Sequence, residues 1–290
     1  MTIYAIFLWL FILHVFSFAS CFALQKPSIG EQMQRIPRED LPILDRFFRE
    51  LLFQKGFAYT LFGDKPISLD CFDLENLDKP DPFATSSEGY RTWEKYAHLF
   101  QGPHYLFLFY EDPAEALCEL TLVNKRAFHQ IISEHREKFA AFFGPNVSSE
   151  ELLNLLIQKR SLWNTPMKER DDLIGILLGY GKNNADLFQR RSEIWGRKKK
   201  LSRNREKPSP GYHSVEEESQ ALNATLSSFS GERKITLSYM QLPSFVADRS
   251  HRETIQLKKK YTKQRKKMTA LFSHRDALRT ALEQFCAQEP

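Results

Sequence analysis

Four cysteines and eight histidines are the residues of this 290-residue chain best suited to nucleophilic or metal chemistry. A thiolate beside an imidazole attacks carbonyl carbon, and such partners meet in space rather than in sequence. Cys71 or Cys118 with His98, His104 or His129 is therefore a candidate hydrolytic set. Metal binding asks for several deprotonated donors on one face. His129 and His135 lie six residues apart, not at the i, i+4 spacing of two zinc ligands on a helix. The chain holds neither HExxH nor CxxC, and no metal or cofactor is expected. Asp70 and Asp73 flank Cys71-Phe72 and read as a solvated strand exit. The glycines at 175, 179 and 181 invite a phosphate-loop reading, because backbone N–H groups at a helix start cradle anions. Their spacing fails. Ile176 stands where a Walker motif ending at Gly181-Lys182 needs glycine, Asn183 where it needs Ser or Thr, and Asn184 at the third glycine of GxGxxG. Close helix packing is the better reading.

Charge is more informative. Residues 190–207 carry nine basic and two acidic side chains, and residues 249–267 carry nine and one. The formal net charge is only +5, so the other 253 residues sum to −10. Concentrated cations suit anionic lipid or an acidic partner. The candidate binding residues are Arg197, Lys198, Lys199, Lys200, Lys258, Lys259, Lys260, Lys266 and Lys267. Nucleic acid is disfavoured, since only Trp195 and Tyr261 interrupt these runs for base stacking. The plain alternative for 258–267 is a solvated helix face.

Residues 1–23 hold 19 apolar side chains and no charged one, and Ile3 to Leu13 is unbroken by a polar residue. This matches the apolar centre of an export signal. Ser17 and Ala19 give a small-x-small cleavage pattern, and Phe18-Ala19-Ser20-Cys21 resembles a lipobox, which makes Cys21 the lipidation candidate. The expected outcomes are cleavage, a lipid anchor at Cys21, or a retained membrane span. Each gives an exported, envelope or membrane-associated protein. With so few cysteines a disulfide scaffold is excluded, and aromatic and aliphatic content suffices for a core.

The elements that must position these residues follow from periodicity. Leu41, Leu44, Phe47/Phe48 and Leu51/Leu52 recur at helical spacing, and Gly56 ends that helix. Phe57–Phe62 and Ile67–Phe72 flank Gly63-Asp64-Lys65-Pro66 as a hairpin would. His104–Tyr110 reads as a buried strand with Glu119–Val123 as its partner. Helices are expected over 88–100, 126–143, from Ser148 or Ser149 onward, 171–178 and 184–195, a strand over 235–242, and one long helix over 252–287. In that last segment Leu257, Tyr261, Met268, Leu271, Leu278, Leu282 and Phe285 occupy core positions of a heptad pattern that Gln264 and Arg275 interrupt. The fold class is thus α+β, mainly helical with a small antiparallel sheet, behind an N-terminal hydrophobic leader. Its organisation is a leader (1–23), a linker (24–40), a globular body (41–207) and a basic helical C-terminal region packing on that body (208–290), with Pro208 to Ser214 as the joint.

Three segments carry a resemblance: Phe57 through Ser68, Leu120-Thr121-Leu122-Val123-Asn124-Lys125 leading into Phe128, and Gly175 through Ala185. Together they resemble a group of exported, envelope-type proteins of chlamydiae to which no activity is attached. The resemblance spans residues 45–195. It implies bacterial origin and, with the leader, an envelope address, and it transfers no catalytic residue. The expected function is an exported or membrane-anchored binding protein with a basic surface for anionic lipid or an unidentified acidic partner. A hydrolase with a Cys/His site and a basic nucleic-acid binder are the alternatives.

Overall fold

The computed structural model describes residues 27–73, 87–112, 114, 117–202, 211–231, 239–273 and 276–287. The leader and Cys21 lie outside the described residues, as do Arg203, Arg205 and Lys207 of the first basic run. The chain divides into two units, Met1–Ile36 and Pro37–Pro290. In the first, α1 (Ile29–Met33) is closed by a reciprocal cap. The Glu31 amide donates to the Ser28 hydroxyl, and the Glu31 carboxylate accepts from the Ser28 amide at 2.7 Å.

The second unit is organised on a three-stranded antiparallel sheet, β1 (Ile67–Asp73), β2 (Tyr105–Asp112) and β3 (Leu117–Asn124), in the order β1-β3-β2. The expected pairing of the two later strands is present, with Phe107 opposite Leu122 and Leu108 opposite Thr121. Alternation along β3 sends Leu120 and Leu122 to one face, and Thr121 and Val123 to the other. The first face is aromatic. Phe107 meets Phe48 of α2 (Asp40–Phe53), Trp93 of α4 (Ser87–Tyr96) and Phe285 of α12 (Ala277–Cys286). The second face is aliphatic. Ile67, Leu108 and Val123 cluster there with residues of α5 (Lys125–Glu134), α6 (Arg136–Phe143), α7 (Ser149–Lys159) and α8 (Asp171–Leu177). With both faces covered, β3 buries even Glu119. Its carboxylate accepts hydrogen bonds from Thr121 (2.7 Å) and Ser161 (2.6 Å), which satisfies a group that would otherwise be costly there.

Four expectations are corrected. Phe57–Leu61 is a short helix, α3, rather than the first strand of a hairpin. Gly56, at φ 78°, turns the chain into it, and all five of its residues are buried. A short, wholly enclosed apolar run shows no period, so sequence cannot separate helix from strand. Segment 126–143 is two helices, α5 and α6, which meet at His135. Segment 252–287 is likewise two: α11 (Arg252–Phe272) and α12, which starts afresh where the Asp276 carboxylate accepts from the Arg279 amide at 2.9 Å. The break lets Leu278, Leu282 and Phe285 turn inward as a separate helix. The remaining elements are α9 (Lys182–Leu201), α10 (Tyr212–Thr225) and a two-stranded ribbon of β4 (Leu226–Ser228) with β5 (Val246–Asp248). Residues 239–242 of the expected 235–242 strand are irregular, and 232–238 lie outside the described residues.

Candidate functional site

The two basic runs fall on α9 and α11. On α9, Arg197 and Arg190 reach Glu218 of α10 at 2.6 and 3.3 Å, and Lys198 pairs with Glu216. Between these helices Ile194, Val215 and Leu222 make a small core of their own. That contact holds the acidic side of α10 against the basic side of α9. Hydrogen bonds from the α9 cations hold both glutamates below the ordinary carboxylate range. Lys199 lies 5.6 Å from the Trp195 ring. Arg190, Arg197 and Lys198 of this run are thus answered from within the chain.

On α11 the inner side is fixed first. Tyr261 is buried and donates to Gly179 O at 2.8 Å. Lys260 pairs with Asp64 at 2.9 Å, and Gln264 bonds the same carboxylate at 2.7 Å. Glu253 takes the amides of Lys182 and Asn183, each at 2.8 Å, on its two oxygens. The start of α9, where the glycine cluster invites the reading of a phosphate cradle, is therefore occupied by the chain's own carboxylate. Gly181 permits this approach, since a Cβ there would come within 2.9 Å of the Glu253 carboxyl group.

With that side committed, positions 255, 258, 259, 262, 263 and 266 recur at helical spacing on the outer side. Ile255, Lys258, Lys259, Lys263 and Lys266, with Arg249 from the end of β5, line a shallow groove of about 560 Å³. Arg249 is oriented by its own bonds to Ser228 O. Lys258 Nζ stands 6.0 Å from the Phe229 ring. Among the described residues, no carboxylate pairs with Lys258, Lys259, Lys263, Lys266 or Lys267. Lys259, Lys263 and Lys267 follow one another at i, i+4, a spacing at which like charges repel. An anion laid along the groove relieves that repulsion.

The structure thus separates the candidate residues. Lys258, Lys259 and Lys266 come together, Lys260 is turned to Asp64, and Arg197 and Lys198 are consumed by α10. Sequence reasoning does not single out Lys263 or Arg249, although the i+4 step from Lys259 points to the first. The neutralising glutamates were also readable in principle, as Glu216-Glu217-Glu218 is the densest acidic triplet near either run.

The thiol candidates are not assembled. Cys118 is buried at the Phe72 and Glu111 end of the sheet, whereas His104 precedes β2 at the opposite end. Burial pushes the Cys118 thiol up to about 11, away from thiolate chemistry. Cys71 is exposed and points to the face opposite Cys118. His129 bonds the Ser149 hydroxyl at 2.8 Å. Among the described residues no group of three or more His, Cys, Asp or Glu is placed to hold a metal ion, and no helix is long and apolar enough to cross a membrane. No family model, curated protein or solved structure matches the chain.

Proposed function

We propose that this chain is an exported or membrane-anchored binding protein that lays the outer side of α11 on an anionic lipid surface. One observation carries the reading: four lysines and an arginine line a single groove with no carboxylate partner among the described residues. Solvated lysines near an anionic bilayer each contribute about 1 kcal/mol. Ile255, 44% exposed in the same groove, offers an apolar contact beside them. The charge-free apolar opening of the sequence supports delivery to the same place, because either an anchor or export sets the protein beside lipid.

Vesicle flotation tests the proposal. Full-length protein is expected to float with phosphatidylglycerol-containing vesicles at low salt and to be released as salt rises. A retained or acylated leader holds protein on zwitterionic vesicles as well, so the contact through α11 is read as the excess bound by the anionic composition at low salt. Equal flotation with both compositions, or none with either, overturns the lipid reading. The intact mass of the mature chain separates cleavage, acylation at Cys21 and retention of the leader.

A further inference from the structure

Lys65 is only 5% exposed, yet among the described residues no carboxylate stands against its amine. Lysine is almost never enclosed in this way without an anionic partner. It sits on the bend between α3 and β1, where its Nζ donates to Ile67 O at 2.5 Å and to Ser68 Oγ at 3.0 Å. The Ser68 hydroxyl in turn donates to Gly56 O at 3.0 Å and lies 2.8 Å from Thr60 Oγ1. That hydroxyl is at its full hydrogen-bonding capacity, so it holds the amine and is not itself a nucleophile. The stem of Lys65 is clamped as well. Gly179 has φ 72°, and a Cβ there would lie 3.2 Å from Lys65 Cγ.

The lysine is not sealed in. It lines a cleft of about 230 Å³ with Gln54, Lys55, Asp70, Tyr180 and Ser244. The acid in that cleft, Asp70, is paired at 3.1 Å with Lys55. Tyr180 and Tyr261 are the other titratable groups packed nearby. Burial raises both phenols, that of Tyr180 to about 12, so both remain neutral. With no carboxylate among the described residues to offset its charge, burial lowers the Lys65 amine to about 7. A neutral amine has two N–H donors and one lone pair. Here both donors already have acceptors, and the lone pair is the atom's only uncommitted site.

We propose that Lys65 is a reactive-amine site that condenses with a short, polar aldehyde or ketone entering this cleft. The nitrogen lone pair forms the new C–N bond while the carbonyl C–O π bond opens and one proton passes from nitrogen to that oxygen, giving a carbinolamine. Loss of that hydroxyl group with the remaining N–H proton as water leaves the imine, and no oxidant or reductant takes part. The polar lining and small volume select compounds of a few carbons bearing hydroxyl or carboxylate groups.

The test uses full-length protein with glycolaldehyde as the probe and cyanoborohydride to fix any iminium, followed by peptide mass mapping. At pH 7 an ordinary exposed lysine is neutral only about once in a few thousand molecules. Lys65 is therefore expected to label at least tenfold faster than Lys258 or Lys259, with a half-maximal rate near pH 7. Lys65→Arg keeps the donors and removes the nucleophile, so the fast site vanishes while labelling of α11 is unchanged. Lys65→Met serves as a second variant if the arginine disturbs folding. Two results overturn the proposal. In one, Lys65 stays unlabelled in the folded protein while surface lysines react. In the other, Lys65 labels along the same pH curve as the α11 lysines.

Discussion

The α9 and α11 basic runs differ by one unit of net charge in the sequence and meet opposite fates in the fold. On α9 Arg190, Arg197 and Lys198 are met by Glu216 and Glu218 of a neighbour that a small apolar core holds in place. On α11 the inner side is pinned by Glu253, Lys260 and Tyr261, and among the described residues the outer lysines meet no carboxylate. Net charge per segment thus says little about binding. What matters is whether a segment's counter-charges lie on its own packing partner.

The contrast is open to direct attack. The largest effect is expected from reversing charge on the outer side: Lys258→Glu, Lys259→Glu, Lys263→Glu and Lys266→Glu together should cut partition onto anionic vesicles by more than about a hundredfold. The same exchange at Lys198, Lys199 and Lys200 should cut it far less. If both sets lose binding equally, the distinction between the helices fails. A second measurement concerns the ion pairs themselves. Asp172 is buried and accepts from Lys138 and, through both oxygens, from Arg170. Burial alone would raise its carboxyl group, but these bonds prevail and hold it at about 2. Because the folded value lies below the unfolded one, this stabilisation is present above pH about 4 and is lost as the pH falls towards 2. It amounts to about 2 kcal/mol, and Asp172→Asn should lower the melting temperature at pH 7 by about 5 °C.

Smaller effects sharpen the comparison from the α9 side. Glu218→Gln releases Arg190 and Arg197. Vesicle affinity should rise a few-fold while the melting temperature barely moves, because exposed pairs add little to stability. A drop in affinity would mean that α9 already takes part in binding. The smallest change is expected from Lys200→Ala, which should leave retention on vesicles within error. A clear loss would return α9 to the binding surface.

Legibility followed the length scale of each interaction. The amphipathic helix from Leu41, the β2–β3 pairing and the capping serine before α7 rest on neighbours in sequence or on alternation, and all three were visible. The α3 helix was not, because enclosure on every side erases the period that distinguishes helix from strand. Nor was the break before α12, since the heptad spacing runs straight across it and only Asp276 marks the stop. At the candidate site, the excess of lysine was plain. Its partition into answered and unanswered charges was not, because that depends on Glu216, Glu218 and Asp64 meeting their partners across distances no spacing rule records. Lys65 was hidden for a related reason. It reads as a turn lysine, and its enclosure comes from α3 and Gly179, more than a hundred residues apart.

The two-pronged hold of Glu253 on the first amides of α9 has a further effect on α11. Each residue advances a helix by about 100°, so fixing residue 253 at one point also sets the compass bearing of every residue after it. Shifted by a single position, the helix would swing its lysines towards Asp64 and its tyrosine towards water. The carboxylate acts as an index pin, keeping the outward row of cations in register with the body beneath.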